Sequence, residues 1–260
     1  MARIIAITNQ KGGVGKTTTS INLAASLAAT KRNVLLVDID PQGNATMGSG
    51  VDKYDLDYSL FDVLVDDLAA EKAMINAEQS GYYLLPSNID LTAAEIHLLD
   101  KEQREFQLKK ALSKIEHRFD YIFIDCPPSL NMLSINAMVA AQSVIIPMQC
   151  EYYALEGLSA LLNTIEQISE TLNPELHIEG LLRTMYDPRN RLSSEVSSQL
   201  HQHFGDQVYR TPIPRNIRLA EAPSYGLPVM YHDRHSRGSK AYLALAGEII
   251  RRQQQTEHNN

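Results

Sequence analysis

The chain has 260 residues, 44% of them hydrophobic and 21% charged, with a formal net charge of −7. That balance gives ample material for a core and excludes a disordered chain or a globally basic nucleic-acid binder. No apolar run approaches the ~18 residues of a membrane helix, and two cysteines, Cys126 and Cys150, without C-x-x-C spacing, exclude a disulfide or zinc framework.

In chain order, Met1-Ala2-Arg3 runs directly into the apolar stretch Arg3–Thr8, which predicts a strand, no signal peptide and a cytoplasmic protein. Next comes Gln10-Lys11-Gly12-Gly13-Val14-Gly15-Lys16-Thr17-Thr18, followed by a helical pattern over about 16–30. A glycine-rich turn between strand and helix cradles phosphate, because its N–H groups point inward and the helix dipole is positive there. Lys16 is placed to reach the terminal phosphates of a nucleotide and the Thr17 hydroxyl to ligate Mg²⁺. The ordinary pattern G-x-x-x-x-G-K-[ST] demands glycine at position 10, where this chain has Gln10.

A second strand, Asn33–Val37, leads into Asp38-Ile39-Asp40-Pro41, and alternation sends both carboxylates to one side of the extended chain. A structural turn at Asp40-Pro41 is the competing reading. Ser59 is placed to cap a helix over 59–66, with Asp62 in its first turn. A strand over Tyr82–Pro86 and helices over 90–99 and 103–117 come next. Strand Tyr121–Asp125 then ends in an aspartate after apolar residues, a Walker B pattern in which Asp125 holds the hydration shell of Mg²⁺; the alternative is a helix cap. Helices over 131–141, 154–172, 192–204 and 239–253 alternate with strands at Ser143–Pro147, His177–Leu182 and, briefly, Val208–Tyr209. This alternation predicts an α/β protein with a doubly wound, mostly parallel sheet flanked by helices, in one domain over 1–254, with 255–260 a disordered tail.

Charge is unevenly placed. Residues 181–260 hold eleven Lys and Arg against seven Asp and Glu, a net of +4, so residues 1–180 carry −11. The arginines of that last third suit phosphate, and a solvated helix face would show the same charges.

The loop at 10–18 resembles the deviant Walker A loop of the ParA/MinD class of P-loop ATPases. The resemblance extends through VLLVDIDPQGNAT at 34–46, DYIFIDCPPSL at 120–130, PMQCEYYALEGL at 147–158 and YRTPIPRNIRLAEAPSYGLPV at 209–229. Together these blocks resemble the short chromosomal ParA, or Soj, family of partitioning ATPases. The resemblance implies that ATP and Mg²⁺ are the cofactors and that residues Lys11 to Thr18 bind the nucleotide, with Lys11 reaching across an ATP-dependent homodimer. It also implies that Asp40 positions the attacking water, that Asp38 supports the metal site with Thr17 and Asp125, and that Pro214 and Asn216 lie beside the adenine. Arg189 and Arg218 match residues that contact double-stranded DNA without reading its sequence. A ParB-like centromere-binding protein, on the nucleoid, is the implied partner; the N-terminus departs from relatives that meet it through a basic extension, which leaves Ala2 and Arg3 for that contact, and a replication initiator is the partner under a reading as a nucleotide-gated regulator. The alternatives are a MinD-like spatial regulator, a nucleotide-gated regulator that binds no DNA, and a small-molecule kinase or synthetase. The end of the chain lacks the sustained apolar face of a membrane-inserting helix, which disfavours the first.

Overall fold

The protein is described by a computed structural model that covers residues 2–152 and 154–259, without the side chains of 154–156 and 256–259. Strand β1 (Arg3–Ile7) leads into α1 (Lys16–Ala28) and β2 (Val34–Asp38). Helices α2 (Asn44–Gly48), α3 (Leu60–Val65) and α4 (Ala70–Ala73) precede a hairpin of β3 (Ile75–Ala77) and β4 (Tyr82–Leu85). Then follow α5 (Leu91–Leu99), α6 (Gln107–Ser113), β5 (Tyr121–Asp125), α7 (Met132–Ala140), β6 (Ser143–Gln149), α8 (Ala154–Thr171), β7 (His177–Thr184) and α9 (Arg191–Phe204). Helices α10 (Ile217–Glu221), α11 (Val229–His232) and α12 (Arg237–Asn259) come last.

The seven strands form one sheet in the order β3-β4-β2-β5-β1-β6-β7. All neighbours are parallel except β3 against β4. Period-two alternation sends each strand's apolar side chains to two cores. Ile4, Ala6, Leu35, Val37, Ile122, Ile124, Val144 and Ile146 pack under α3 to α9. Ile5, Ile7, Val34, Leu36, Tyr121, Phe123 and Ile145 pack under α1, α2 and α10 to α12. Burial on both faces is why these strands read as continuous apolar runs.

The carboxyl ends of the three central strands are level. Ile7 of β1 and Asp38 of β2 both pair in register with Asp125 of β5. The chain leaves β1 for one face, into α1, and the adjacent β5 for the other, into α7, and at such a place open α/β sheets bind ligands.

The structure differs from the expected elements in several places, and the short helices α2, α4, α10 and α11 were not expected. β3 was not expected: its three residues carry the mixed burial of an edge strand. The expected helix 103–117 is α-helical only over Gln107–Ser113; it starts late because Gln103 adopts a positive φ of 51° and the Gln107 amide bonds back to the carbonyls of Glu102 and Gln103. Val208 forms only an isolated bridge to Leu181. The last helix is longer than expected and runs from Arg237 to Asn259.

Candidate nucleotide site

The loop between β1 and α1 is built on backbone torsion. Gly13 and Gly15 take φ of +73° and +88°, values that a side chain strains to adopt, and Gly15 is the residue from which α1 begins. A Cβ added at Gly12 or Gly13 would meet nothing within 4 Å, so torsion rather than crowding calls for glycine at Gly13. Neighbouring strands brace its outer side. Thr184 Oγ1 at the end of β7 donates to Val14 O (2.7 Å), Gln149 Nε2 donates to Gly13 O (3.1 Å), and Asn9 Nδ2 donates to Pro147 O (2.8 Å).

The two lysines of the loop stand apart. Lys16 is buried, and its Nζ donates to Lys11 O across the loop at 3.2 Å. Burial pushes its ammonium below the ordinary value, against the opposing pull of Asp125. Lys11 points outward, half exposed, with Nζ 2.6 Å from Glu151 Oε2.

Behind the loop lies a buried acidic pair. Asp125 accepts Thr17 Oγ1 on Oδ2 (2.8 Å) and Ser20 Oγ on Oδ1 (2.7 Å). Asp38 accepts the N–H of Asp40 on Oδ1 (3.2 Å) and both the N–H and hydroxyl of Thr46 on Oδ2 (2.7 and 2.8 Å). Burial, then the charge of Asp125, pushes the Asp38 carboxyl well above the usual carboxylate range. Burial raises Asp125 as well, against the bonds from Ser20 and Thr17. Asp40 is buried at the same rim, with Oδ1 accepting Gln42 N–H (2.9 Å) and its carbonyl accepting Ser87 Oγ (2.9 Å).

These residues suit a hydrated Mg²⁺ beside phosphates: hard oxygens only, few of them, at a helix N-terminus. Among the described residues no group of three or more His, Cys, Asp or Glu forms a metal cage. Cys126 and Cys150 are free and buried.

The adenine residues implied by the sequence hang beside the loop. Pro214 bridges Tyr186, two residues beyond Thr184. Asn216 starts α10, and its Oδ1 is buried without a hydrogen-bond partner. Arg189 and Arg218 flank this segment, each already in an ion pair. Arg189 holds Asp187 with two bonds (3.0 and 2.8 Å), and Arg218 lies between Glu221 (2.8 Å) and Asp233 (3.3 Å). At the expected partner contact, Ala2 is buried and Arg3 is partly exposed and bonded to Glu179. Ser20, Ser87 and Thr184 join the site and carry no motif that would have marked them, whereas Thr46 and Glu151 lie within the blocks at 34–46 and 147–158, which assign neither a role.

A parallel sheet with this loop at the end of β1, and an aspartate at the end of β5 bonded to the loop threonine, defines a P-loop NTPase. The family model described as an AAA domain matches residues 2–178. The sporulation initiation inhibitor protein Soj of Bacillus subtilis is 53% identical over 249 residues, covering 96% of this chain and 98% of its own. The chromosome partitioning protein ParA of Caulobacter vibrioides is 48% identical over 253 residues, covering 96% and 95%. Among solved structures, cobyrinic acid a,c-diamide synthase from Mycobacterium smegmatis with bound ADP and magnesium superposes with a TM-score of 0.86 at 39% identity, covering 98% of this chain and 96% of that one. The chain belongs to the ParA/Soj family of chromosome-partitioning ATPases. No helix among the described residues is long and apolar enough to cross a membrane.

Proposed function

We propose that this protein is an ATPase that partitions DNA: it binds ATP with Mg²⁺, dimerises around two nucleotides, binds duplex DNA without sequence preference in that state, and leaves DNA when a ParB-like partner speeds hydrolysis. The observation that carries this reading is the unlike placement of two lysines in one loop. Lys16 is held inward for the chain's own phosphates, whereas Lys11 is held outward, where a second subunit would meet it.

ATP supplies a reactive phosphoanhydride, and Mg²⁺ offsets the charge of its phosphates. The N–H groups of Gly12 to Thr18 orient the phosphates, Lys16 neutralises them, and Thr17 with Asp125 holds the metal's place. Asp38, bonded three times, fixes the turn that carries Asp40. Asp40 then aligns a water for in-line attack. Pro214 and Asn216 pack beside the base, and Asn216 brings a buried acceptor.

Light scattering and phosphate release test this together. Lys16→Ala is expected to lose nucleotide binding, Lys11→Ala to bind ATP but remain monomeric, and Asp40→Ala to dimerise but not turn over. Dimerisation by Lys11→Ala equal to the parent's removes the trans role. A fast basal rate indifferent to DNA and a ParB-like partner favours instead a small-molecule synthase, the activity named for the mycobacterial structure.

A further inference from the structure

The negative charge of the chain is concentrated in one stretch. Residues 52–102 hold twelve Asp and Glu against three Lys, a net of −9, in a chain of −7. The fold gathers this stretch into α3, α4, α5 and the β3–β4 edge. Within it, α5 is apolar on both sides. Leu91, Ala94 and Leu98 face the core, yet Ile96 and Leu99 are 70% and 54% exposed, and Ile89 just before the helix is 63% exposed. Positions 89, 96 and 99 share one outward stripe at helical spacing, beside the polar Thr92, Glu95 and His97, and an exposed apolar patch rimmed by polar residues marks a protein contact. Beside the stripe opens a cavity of about 370 Å³, lined among others by Asp57, Tyr58, Phe61, Asp90 and Ala93. Phe61 meets His97 edge-on at 5.9 Å, which ties the cavity wall to α5.

We propose that this face docks a polypeptide segment of a partner protein in which arginine or lysine is interleaved with apolar side chains. One basic side chain enters the cavity beside Tyr58, between Asp57 and Asp90, and its apolar neighbours lie on Ile89, Ile96 and Leu99. Charge complementarity selects this occupant. A net of −9 repels duplex DNA and anionic lipid alike, and a second copy placed by two-fold symmetry would present the same acidic face. An aromatic ring with flanking carboxylates is, by contrast, a favourable seat for a guanidinium or ammonium group.

The docking face continues into the nucleotide site. Asn88 lines the cavity, and Ser87 beside it donates its N–H to Thr46 Oγ1 (2.9 Å) and its hydroxyl to Asp40 O (2.9 Å), while Thr46 donates to Asp38. A segment that shifts 88–90 therefore moves the backbone that holds Asp40. This coupling rests on the function proposed above; the docking does not.

The probe is a fluorescein-labelled synthetic peptide of alternating arginine and leucine, read by anisotropy, with its glutamate-for-arginine counterpart as control. Only the basic peptide is expected to bind. Asp57→Asn/Asp90→Asn and, separately, Ile96→Ser/Leu99→Ser are each expected to weaken it by about tenfold. The pair Glu71→Gln/Glu78→Gln, which removes the same charge elsewhere in the stretch, is expected to stay within about twofold of the parent. Equal weakening by all three pairs reduces the effect to bulk charge and overturns the proposal, as does unchanged binding in Asp57→Asn/Asp90→Asn. If the peptide binds as stated but leaves phosphate release by the full chain unchanged, the coupling fails and the docking stands.

Discussion

Lys11 and Glu151 make a contact that the proposed dimer has to break. Both are half exposed, and an exposed pair of this kind contributes about 0.2–1 kcal/mol, a factor of up to about five in an equilibrium. The contact is thus a weak latch. Glu151→Gln is expected to shift ATP-dependent dimerisation to lower ATP by up to about fivefold, read by light scattering across an ATP series, and an unchanged midpoint removes the latch. Ser20 has a different weight. It is buried, and its hydroxyl satisfies one oxygen of the buried Asp125 carboxylate. Ser20→Ala strands that oxygen, with an expected loss of about 1–3 kcal/mol in urea unfolding; a loss of under about 0.5 kcal/mol would show that the group finds another donor. Lys16, Thr17 and Asp125 were legible because their residue types and spacing are dictated by phosphate and magnesium. Ser20 and Thr184 were not, since a hydroxyl that serves a partner 105 or 170 positions away leaves no local pattern.

Among the elements, α12 does more than cover the sheet. Glu248 on this helix accepts the N–H groups of Arg210 (2.8 Å) and Thr211 (3.0 Å) and the guanidinium of Arg252 (2.8 Å). It thereby fixes the start of the segment that carries Pro214 and Asn216. Burial alone would raise its carboxyl, but these donors outweigh burial and hold it below the ordinary value. A carboxylate depressed in the folded state adds stability above its unfolded pKa, and that stability is lost as pH falls through the lower folded value. Glu248→Gln is therefore expected to melt several degrees below the parent at neutral pH, at roughly 2–4 °C per kcal/mol, with the gap closing below about pH 4. A gap independent of pH would assign the loss to packing instead. The parallel strands were legible as apolar runs because both faces of the sheet are buried, and the Ser59 cap because Asp62 completes a reciprocal capping box. β3, α10 and α11 were not. At three to five residues each, their register is set by tertiary contacts rather than by a local period.

At the scale of the molecule, charge is sorted by position. The acidic stretch 52–102 lies toward the β3–β4 edge under the face of α3 to α5. Arg189 lies beyond β7 at the other edge, and α10, which carries Arg218, packs on the opposite face. Both arginines are on the surface and bonded to carboxylates of their own chain, so phosphate has to displace Asp187, Glu221 and Asp233. Exposed pairs of this sort are screened by salt and exchange readily. One chain therefore offers duplex DNA a few contested arginines on a net-negative body, which is weak binding. Two chains held along one duplex double the contacts, and the slope of log affinity against log salt steepens by about 0.9 for each phosphate neutralised. In the function proposed above, dimerisation therefore gates the affinity. Arg218→Glu is expected to flatten the slope of the ATP-bound protein by about two, one contact per subunit, and to weaken every sequence alike, because phosphate contacts position without specifying. ATP-dependent dimerisation is expected to be unchanged, since Arg218 is bonded only within its own local segment. The measurement is DNA affinity across a salt series for ATP, ADP and Arg218→Glu samples. Identical curves with ATP and ADP, or a marked preference for one sequence, would remove the gate and with it the DNA-binding role of this surface.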